Sequence, residues 1–207
     1  MADVGVQVLG YAAAAVSCVQ LVPQVVRTVR LRATAGVSPL MWALLGAQSA
    51  AWIVFGASRH LWPAVSVNVV LIGCVTAMLT TLGRELAPGL GLAVRVMVGL
   101  LAVEAVLVAT LPLAVLGGMA GLLAALVLWP QVLVALRSTD LSGLSRASWV
   151  LSAVTSVQWA AYGLATGTAV TWLSASHNLV LSLVVVGRLY LVDRRATARP
   201  ELEAAAA

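Results

Sequence analysis

Residues 21–56 read LVPQVVRTVRLRATAGVSPLMWALLGAQSAAWIVFG, and the pattern returns 107 residues later, where residues 128–163 read LWPQVLVALRSTDLSGLSRASWVLSAVTSVQWAAYG. Both segments carry a Pro-Gln pair, a Gly-x-Ser motif, two matching tryptophans and a closing glycine. The matched pairs are Pro23/Pro130, Gln24/Gln131, Gly36/Gly143, Ser38/Ser145, Trp42/Trp149, Trp52/Trp159 and Gly56/Gly163. Chance similarity between apolar segments matches leucine and valine rather than tryptophan and proline, so the chain contains an internal repeat.

The repeat extends beyond these two segments. After three extra residues in the second copy the shift becomes 110, and four further pairs match: Trp62/Trp172, Ser66/Ser176, Asn68/Asn178 and Arg84/Arg194. Six of the seven tryptophans fall into repeat pairs.

The composition is that of a membrane protein. Of the 207 residues, 62% are hydrophobic and 9% are charged, whereas ordinary soluble domains are about 25% charged. So few charges cannot cover a compact soluble surface, which excludes a soluble globular enzyme. A disordered chain is excluded as well, because disorder needs low hydrophobicity. The mean hydropathy of +1.04 is typical of a chain that crosses the bilayer several times. All twelve basic side chains are arginine, which excludes chemistry that needs a lysine amine.

Hydrophobic runs of about 20 residues predict seven transmembrane helices. We place them at residues 5–29, 38–58, 62–83, 89–110, 112–136, 146–165 and 169–191. Each repeat holds three helices, so a direct fusion would invert the second copy, and the unmatched fourth helix restores its orientation. We therefore predict an all-α membrane protein with two parallel triple-helix bundles and a linker helix, a 3+1+3 arrangement. The first repeat takes residues 1–84, the linker 85–111, the second repeat 112–195 and a cytosolic tail 196–207.

The arginines predict the orientation. With seven spans, ten of the twelve lie on one side: Arg27, Arg30, Arg32, Arg84, Arg137, Arg146, Arg188, Arg194, Arg195 and Arg199. The opposite side has Arg59, together with Asp3 near the N-terminus. The positive-inside rule then predicts a multi-pass protein of the cell membrane with its N-terminus outside and its C-terminus in the cytosol. The basic charge is thus a topology signal, and no nucleic-acid partner is expected.

The repeated motifs resemble the PQ-loop superfamily, and within it most closely the SWEET sugar transporters. Each copy has Pro-Gln in its first helix, a basic loop with Gly-x-Ser, a tryptophan in the second helix and an asparagine in the third. The resemblance covers about residues 5–195 and implies the same 3+1+3 fold. It also implies that Trp52, Asn68, Trp159 and Asn178 line a central sugar pocket, and that the Pro-Gln pairs mark the helices that flex at the cytosolic gate.

The residue types suit a neutral sugar. An indole face packs on the C–H face of a pyranose, and an asparagine amide both donates and accepts hydrogen bonds, as a hydroxyl does. Helix–helix contacts are the competing role for the asparagines, and packing is the competing role for Trp52 and Trp159. Ser49 and Ser156 precede the pocket tryptophans by one turn, and are either further pocket residues or bonded back to their own helices. The tryptophans near span ends are predicted to form an interfacial belt: Trp42, Trp62, Trp149 and Trp172.

The Pro-Gln pairs are the predicted hinges. Pro23 and Pro130 lie well inside their helices, where a proline removes one backbone hydrogen bond and kinks the helix. The alternative is a static kink. Gln24 and Gln131 are predicted to supply hydrogen bonds that hold one state of the gate.

Ionisable residues inside predicted spans are functional candidates, and among them are Glu104 and His177; Arg95 shares the linker helix with Glu104 but faces its opposite side. For Glu104, in the linker helix, we expect a snorkelling or interhelical contact. His177 precedes Asn178 and points about 100° away from it, and a proton-transfer role is its less favoured interpretation.

The sequence therefore predicts a facilitative uniporter that moves a neutral mono- or disaccharide by alternating access. The alternatives are a proton-coupled PQ-loop amino-acid transporter and a trafficking or scaffold receptor of the same fold. An enzyme is not expected, since no paired carboxylates, nucleophile–base set or metal-ligand cluster is visible. We expect no cofactor and no metal. The expected partners are a small neutral sugar and the lipid bilayer, with a homo-oligomer left open.

Overall fold

The computed structural model describes the backbone of residues 4–85 and 87–205. Within these ranges it describes all side chains except those at 85–90, 113–114 and 195–205. Asp3 and the side chains of Arg195 and Arg199, which enter the charge argument, lie outside the described residues.

Helices account for almost all of the described backbone, which contains no strand. They are α1 (Val4–Val25), α2 (Pro39–Ser58), α3 (Trp62–Glu85), α4 (Ala87–Thr110), α5 (Leu113–Leu126), α6 (Trp129–Arg137), α7 (Arg146–Ala165) and α8 (Ala169–Ala205). A π-helical turn, Val26–Arg30, extends α1. Counting α1 with this turn and α5 with α6, the described chain has seven helical segments.

The predicted helix bounds differ from the structure at two places. The helix predicted at 112–136 is interrupted between Leu126 and Trp129, directly before Pro130. The last helix does not end near residue 191, because α8 continues to Ala205 and takes in most of the predicted tail. The predicted tail from residue 196 is thus helical as far as Ala205, and its assignment to the cytosol stays a prediction.

Six helical segments of the described chain are long and apolar enough to cross a membrane. They are Val4–Arg30, Pro39–Ser58, Trp62–Arg84, Gly91–Thr110, Val115–Arg137 and Ala169–Arg194. The segment that does not qualify is α7, because serine, threonine and glutamine side chains interrupt its apolar sequence. Its 20 residues pack between α1 and α8, so its polar side chains face protein rather than lipid. The seventh span therefore stays a prediction.

The helix contacts follow the repeat. In the first copy α3 packs against both α1 and α2, and in the second copy α8 packs against both α5 and α7. The copies meet where α1 packs on α7 and where α2 packs on α5. Helix α4 is peripheral, with 11% of its span buried against 28% to 56% for the other five spans. The division into two parallel units with a linker stays a prediction that this contact pattern supports.

Both second helices begin with a serine cap. The Ser38 hydroxyl accepts a hydrogen bond from the Met41 N–H, and the Ser145 hydroxyl accepts one from the Ser148 N–H, each at 3.3 Å. A serine at this position satisfies a backbone donor that has no partner inside the helix. The Gly-x-Ser motifs thus fix where the loops 31–38 and 138–145 end. We call the side of the molecule that holds these loops the arginine-rich end.

Two apolar clusters stabilise the bundle. The larger lies toward the arginine-rich end and includes Trp42, Met78, Leu82, Leu141 and Trp149. The smaller is built from Ala51, Trp52, Phe55, Ala64, Leu116 and Ala120, with Trp159 packed against it. Residues of both clusters line one cavity, which therefore lies between them.

Close approach of α7 to α8 requires a glycine at position 163. A Cβ atom added there would lie 2.5 Å from the Trp172 backbone nitrogen, which cannot move away without displacing α8. We expect Gly163→Ala to destabilise the protein by about 1–3 kcal/mol, the usual cost of overpacking. Thermal unfolding of the detergent-purified protein measures this as a lower Tm.

Gly99→Ala is the matched control, because a Cβ at Gly99 meets no atom within 4 Å. Its Tm should equal or exceed that of the parent. Equal Tm values for the two variants would contradict the close approach of α7 and α8.

Candidate functional site

The cavity between the two clusters has a volume of about 220 Å³ and receives side chains from α1, α2, α3, α5, α6, α7, α8 and the two loops. Seven of the residues singled out in the sequence line it: Gln24, Trp52, Asn68, Gln131, Ser156, Trp159 and Asn178. Pro23, Pro130 and Ser49 do not line it. The repeat residues are thus brought together around one space, while the prolines and one serine lie outside it.

Each repeat holds its cavity tryptophan in a similar aromatic pair, although Phe55 itself does not line the cavity. The rings of Trp52 and Phe55 meet edge to face with centroids 5.7 Å apart, and those of Trp159 and Tyr162 meet in the same way at 5.5 Å. Such pairs hold each indole in one orientation. The Trp159 Nε1–H also donates to the Ser17 hydroxyl at 2.9 Å, which fixes this indole to α1.

The two asparagines make different hydrogen bonds. The Asn68 amide donates to the Ala64 carbonyl of its own helix at 2.7 Å, whereas the Asn178 amide donates to the Ala124 carbonyl of α5 at 2.8 Å. In both, the carbonyl oxygen Oδ1 is buried and has no hydrogen-bond partner. Each asparagine therefore has an unused acceptor and a donor that is engaged with backbone.

Buried polar atoms without partners concentrate at this cavity. Among the described residues ten such side-chain atoms occur, and seven belong to cavity-lining residues. These are Trp42 Nε1, Gln48 Oε1, Asn68 Oδ1, Ser148 Oγ, Tyr162 Oη, Thr171 Oγ1 and Asn178 Oδ1. The other three are Ser49 Oγ, Glu104 Oε1 and Gln158 Oε1. A buried polar group without a partner costs about 1–3 kcal/mol, so this clustering marks a place where water or a polar ligand would supply the missing bonds.

The cavity is electrically neutral. No aspartate, glutamate, arginine or histidine occurs among the described residues that line it. Its polar atoms are amides, hydroxyls and indole N–H groups, which offer donors and acceptors together. A ligand with a full charge would lose its hydration here without a counter-charge, whereas a neutral ligand rich in hydroxyl groups fits.

Ser49 and Ser156 are not equivalent in the structure. The Ser156 hydroxyl lines the cavity and donates back to the Ser152 carbonyl at 2.8 Å, as the alternative interpretation of the sequence expected. Ser49 is completely buried outside the cavity. The neighbouring residue on α2, Gln48, takes the cavity-lining position in its place.

The interfacial-belt interpretation was wrong for Trp42 and Trp149. Both are buried, at 2% and 6% exposure, and both line the cavity. Trp62 is half-exposed, as expected of a belt residue. Trp42 and Trp149 precede Trp52 and Trp159 by ten residues, which turns the side-chain direction by about 80°, so the spacing did not show that both members of each pair reach the cavity.

Gln48 and Thr155 occupy matching positions in the two repeats but have different partners. The Thr155 hydroxyl donates to the Gln20 side chain of α1 at 2.7 Å. The residue that matches Gln20 is Val127, directly after α5, and its side chain offers no acceptor or donor to Gln48. Gln48 Oε1 has no hydrogen-bond partner among the described residues, so the polar surface of the cavity is asymmetric although its framework is repeated.

The arginine-rich end of the cavity is closed by a pair of glutamine amides. The Gln24 amide donates to the Gly143 carbonyl at 3.0 Å, and its Oε1 accepts from the Ser145 N–H at 2.9 Å. The amide also donates to the Thr28 hydroxyl at 3.0 Å. Gln24 thus holds the loop of the other repeat, and every hydrogen-bonding atom of its side chain is used.

Gln131 of the second repeat makes the matching hydrogen bonds to the loop of the first repeat. Its amide donates to the Gly36 carbonyl at 2.6 Å, and its Oε1 accepts from the Ser38 N–H at 2.9 Å. The side chain is fully buried. We call the two sets of bonds the glutamine clamp. The sequence predicted hydrogen-bonding roles for both glutamines, and the structure identifies the Gly-x-Ser loop of the opposite repeat as the partner.

The two loops also touch each other directly. The Gly143 N–H donates to the Ala35 carbonyl at 2.9 Å, and a side chain at position 143 would overlap this backbone. Arg27 Nε donates to the Ser142 carbonyl at 2.6 Å. The Asp140 carboxylate accepts the Ser142 N–H at 2.9 Å, and this hydrogen bond lowers the pKa of Asp140 below its usual value of 3.8. The contact therefore needs glycine at 143 and persists at neutral pH.

The predicted hinges take different forms. Pro23 lies inside α1, which continues into the π-helical turn Val26–Arg30. Pro130 lies at the start of α6, after a break in the helix. Proline removes a backbone hydrogen bond in both cases, and π-helical turns often mark functional positions. That either segment moves stays a prediction.

Neither Glu104 nor His177 lies in the cavity. Glu104 is 5% exposed on α4, and its Oε1 has no partner, so the described residues provide none of the expected interhelical hydrogen bonds to that atom. Gly46 of α2 faces Met97 of α4 closely, and Glu104 follows Met97 by two turns on the same face. The carboxyl group is thereby directed at α2. His177 accepts a hydrogen bond from Trp129.

Comparison with known proteins gives one family match. The family model of the PQ loop repeat matches residues 5–64. The matched segment contains α1, the first Gly-x-Ser loop and α2. No curated protein matches the chain. The match supports the PQ-loop superfamily.

The glutamine clamp predicts which substitutions open the arginine-rich end. Gln24→Ala and Gln131→Ala each remove two inter-repeat bonds, worth about 1 kcal/mol each, which corresponds to about a 30-fold shift toward the open state. Val37 lies beside the clamp and is 5% exposed. A Val37→Cys reporter, in a chain with Cys18 and Cys74 changed to alanine, should therefore react with a maleimide about 30-fold faster in either glutamine variant.

Gln158→Ala is the control, because Gln158 is a part-buried glutamine outside the cavity whose Oε1 has no partner. Its labelling rate should equal that of the parent. Labelling rates that are the same in all four proteins would show that the clamp does not close this end.

Proposed function

We propose that the protein is a transporter that carries a small neutral polyhydroxylated molecule, a sugar, down its gradient by alternating access. The single observation that carries this proposal is the set of seven unpartnered polar atoms around a cavity without charge. Several membrane-crossing helices and the PQ loop repeat are compatible with a transporter. That the cargo is a sugar, as in the SWEET transporters, is the more specific part of the proposal, and that it is a transporter is the more general part.

The size of the cavity favours a monosaccharide. Its volume of about 220 Å³ lies below the range of about 300–1,000 Å³ that is typical of small-molecule sites. We propose that a single pyranose ring binds between Trp52 and Trp159, which both line the cavity, and that a disaccharide would require the helices to separate.

The glutamine clamp supplies one of the two gates that alternating access needs. With the clamp formed, the cavity is closed at the arginine-rich end by bonds between the repeats. We propose that this end faces the cytosol, as the positive-inside rule predicts. Transport then requires the four inter-repeat bonds to break and form again in each cycle, with Pro23 and Pro130 as hinges.

The test is counterflow of labelled glucose, sucrose and amino acids in proteoliposomes. We expect glucose counterflow, and we expect Asn68→Ala and Asn178→Ala each to raise the half-saturating sugar concentration about tenfold, since each removes an acceptor in a buried site. Gln158→Ala, which alters a part-buried amide outside the cavity, should leave counterflow unchanged. Amino-acid counterflow without sugar counterflow would overturn the proposal.

One observation favours a proton-coupled transporter as the second candidate. Glu104 is a buried membrane carboxyl with an unpartnered oxygen, and such groups serve as proton sites in transporters. The cavity argues against an amino acid as cargo, because none of its described lining residues can pair with a carboxylate or an ammonium group.

Glu104→Gln separates the two candidates. A uniporter should show counterflow and net uptake that do not respond to an imposed pH gradient, both before and after this change. A proton-coupled carrier should concentrate its cargo when the outside is acidified, and Glu104→Gln should abolish the accumulation while counterflow continues. Uptake against a gradient in the parent protein would therefore replace uniport by coupled transport.

A further inference from the structure

The helix break in the second repeat frees backbone groups that α8 then binds. α5 ends at Leu126 and α6 begins at Trp129. Next to the break, the Ala124 carbonyl accepts the Asn178 amide of α8 at 2.8 Å. The break is therefore attached to α8 on its α5 side by a residue of the cavity.

The α6 side of the break is attached to α8 by the preceding residue. Trp129 Nε1 donates to His177 Nε2 at 3.1 Å, and the two ring centroids are 5.9 Å apart. His177 and Asn178 are consecutive in α8, so they hold the two sides of the break from one turn of that helix. Arg188 holds the far end of α6 by donating to the Ala135 and Ser138 carbonyls, each at 3.1 Å.

The first repeat cannot form this attachment. With the repeat shifts of 107 and 110, Val22 matches Trp129 and Val67 matches His177. Valine side chains neither donate nor accept hydrogen bonds. Asn68, which matches Asn178, bonds to its own helix instead of to α1. The attachment of a proline-containing helix to the third helix of its repeat is thus a property of the second copy.

The Trp129–His177 bond requires a neutral imidazole. Nε2 accepts a hydrogen bond only while it carries no proton, and in the charged ring both nitrogens are donors. An indole N–H can only donate. A proton on His177 Nε2 would therefore place two hydrogen-bond donors opposite each other and break the bond from Trp129 Nε1. Histidine is the side chain whose charge ordinarily changes between about pH 5 and 8.

The elements packed on this part of α8 place no charge beside His177. Helices α5, α6 and α7 contact α8; of their charged or titratable residues, α5 has none, α6 has Arg137, and α7 has Arg146 and Tyr162. Arg137 lies eight residues beyond Trp129, or roughly 12 Å along the helix. Arg146 pairs with Asp193 at the arginine-rich end, and Tyr162 lines the cavity. On α8 itself the other such residues begin at Arg188, about 16 Å away.

We propose that Trp129 and His177 are positioning residues that latch the start of α6 to α8, and that protonation of His177 releases the latch. Released at its start and still held by Arg188 at its end, α6 pivots. Gln131, two residues after Trp129, is then drawn from the Gly36–Ser38 backbone, and the clamp weakens. The proposal deepens the proposed transport function by making the opening of the arginine-rich end sensitive to pH. It does not depend on which molecule is carried.

The test measures opening directly, without any cargo. The Val37→Cys reporter described above is labelled with a maleimide in detergent at pH 8 and at pH 5.5. Each rate is divided by that of a Thr139→Cys reporter, since Thr139 is exposed and cancels the pH dependence of the thiol itself. We expect the normalised rate to rise about fivefold at pH 5.5, the shift that loss of one hydrogen bond produces.

Three variants assign the effect. His177→Gln keeps an uncharged acceptor, so its normalised rate should stay low at both pH values. Trp129→Phe keeps a ring without the donor, so its rate should be high at both. His60→Gln changes the other histidine of the chain, which is exposed, and should keep the full pH response. Glu104→Gln should also keep it, which separates the latch from proton coupling through the carboxyl group.

A normalised rate that does not change with pH in the parent would overturn the latch, as would a response that survives in His177→Gln or disappears in His60→Gln. If Trp129→Phe does not fold, as judged by gel filtration and Tm, the two histidine variants decide the matter alone. Failure of sugar counterflow would leave these labelling results intact. A flat pH response would in turn leave the counterflow results intact, so the two proposals fail separately.

Discussion

The reciprocal bonding of two glutamine amides to the opposite repeat's loop is the constraint on which the rest of the structure depends. Gln24 binds the backbone at Gly143 and Ser145, and Gln131 binds the backbone at Gly36 and Ser38. Such bonds need both loops at one place, so the serine caps, the glycines and the ends of the first helices all follow from them. They also join the two copies directly at the arginine-rich end of the cavity.

The repeat builds a symmetric framework, and individual substitutions make the site within it asymmetric. Two of the three matched tryptophan pairs and the matched asparagines line one cavity, but α1 supplies Ser17 to Trp159 and Gln20 to Thr155. The matching positions hold Ala124 in α5 and Val127 directly after it, and Gln48 Oε1 has no partner. A pseudo-symmetric pathway can thus bind an asymmetric ligand in one orientation, because polar partners are withdrawn on one side and left free on the other.

The sequence was sufficient to predict where the helices lie, but not which side chains of some helices point into the protein. The bounds of α2 and α7 agree with the prediction within one residue, since proline and serine signals mark where they begin. The prediction failed for Trp42 and Trp149, whose side chains are buried. The distance of a residue from the end of a span indicates its depth in the membrane, but not whether its side chain points toward lipid or into the protein. Ser49 was placed in the cavity by its spacing from Trp52, but Gln48 occupies the cavity lining instead. One position along a helix changes the direction by about 100°, and packing against α4 decides between neighbours.

The sequence by itself determined a repeated, helical, membrane-embedded chain, because hydropathy, proline and serine signals act over a few residues. It also identified the Pro-Gln, tryptophan and asparagine positions, because these residue types stand out from the apolar background. Only the tertiary structure decided the partners of the glutamines, which lie between 93 and 121 residues away, and the attachment of Trp129 to His177 across 48 residues. No local rule specifies such pairs, since they depend on how eight helices pack and on which buried polar atoms that packing leaves within reach of one another.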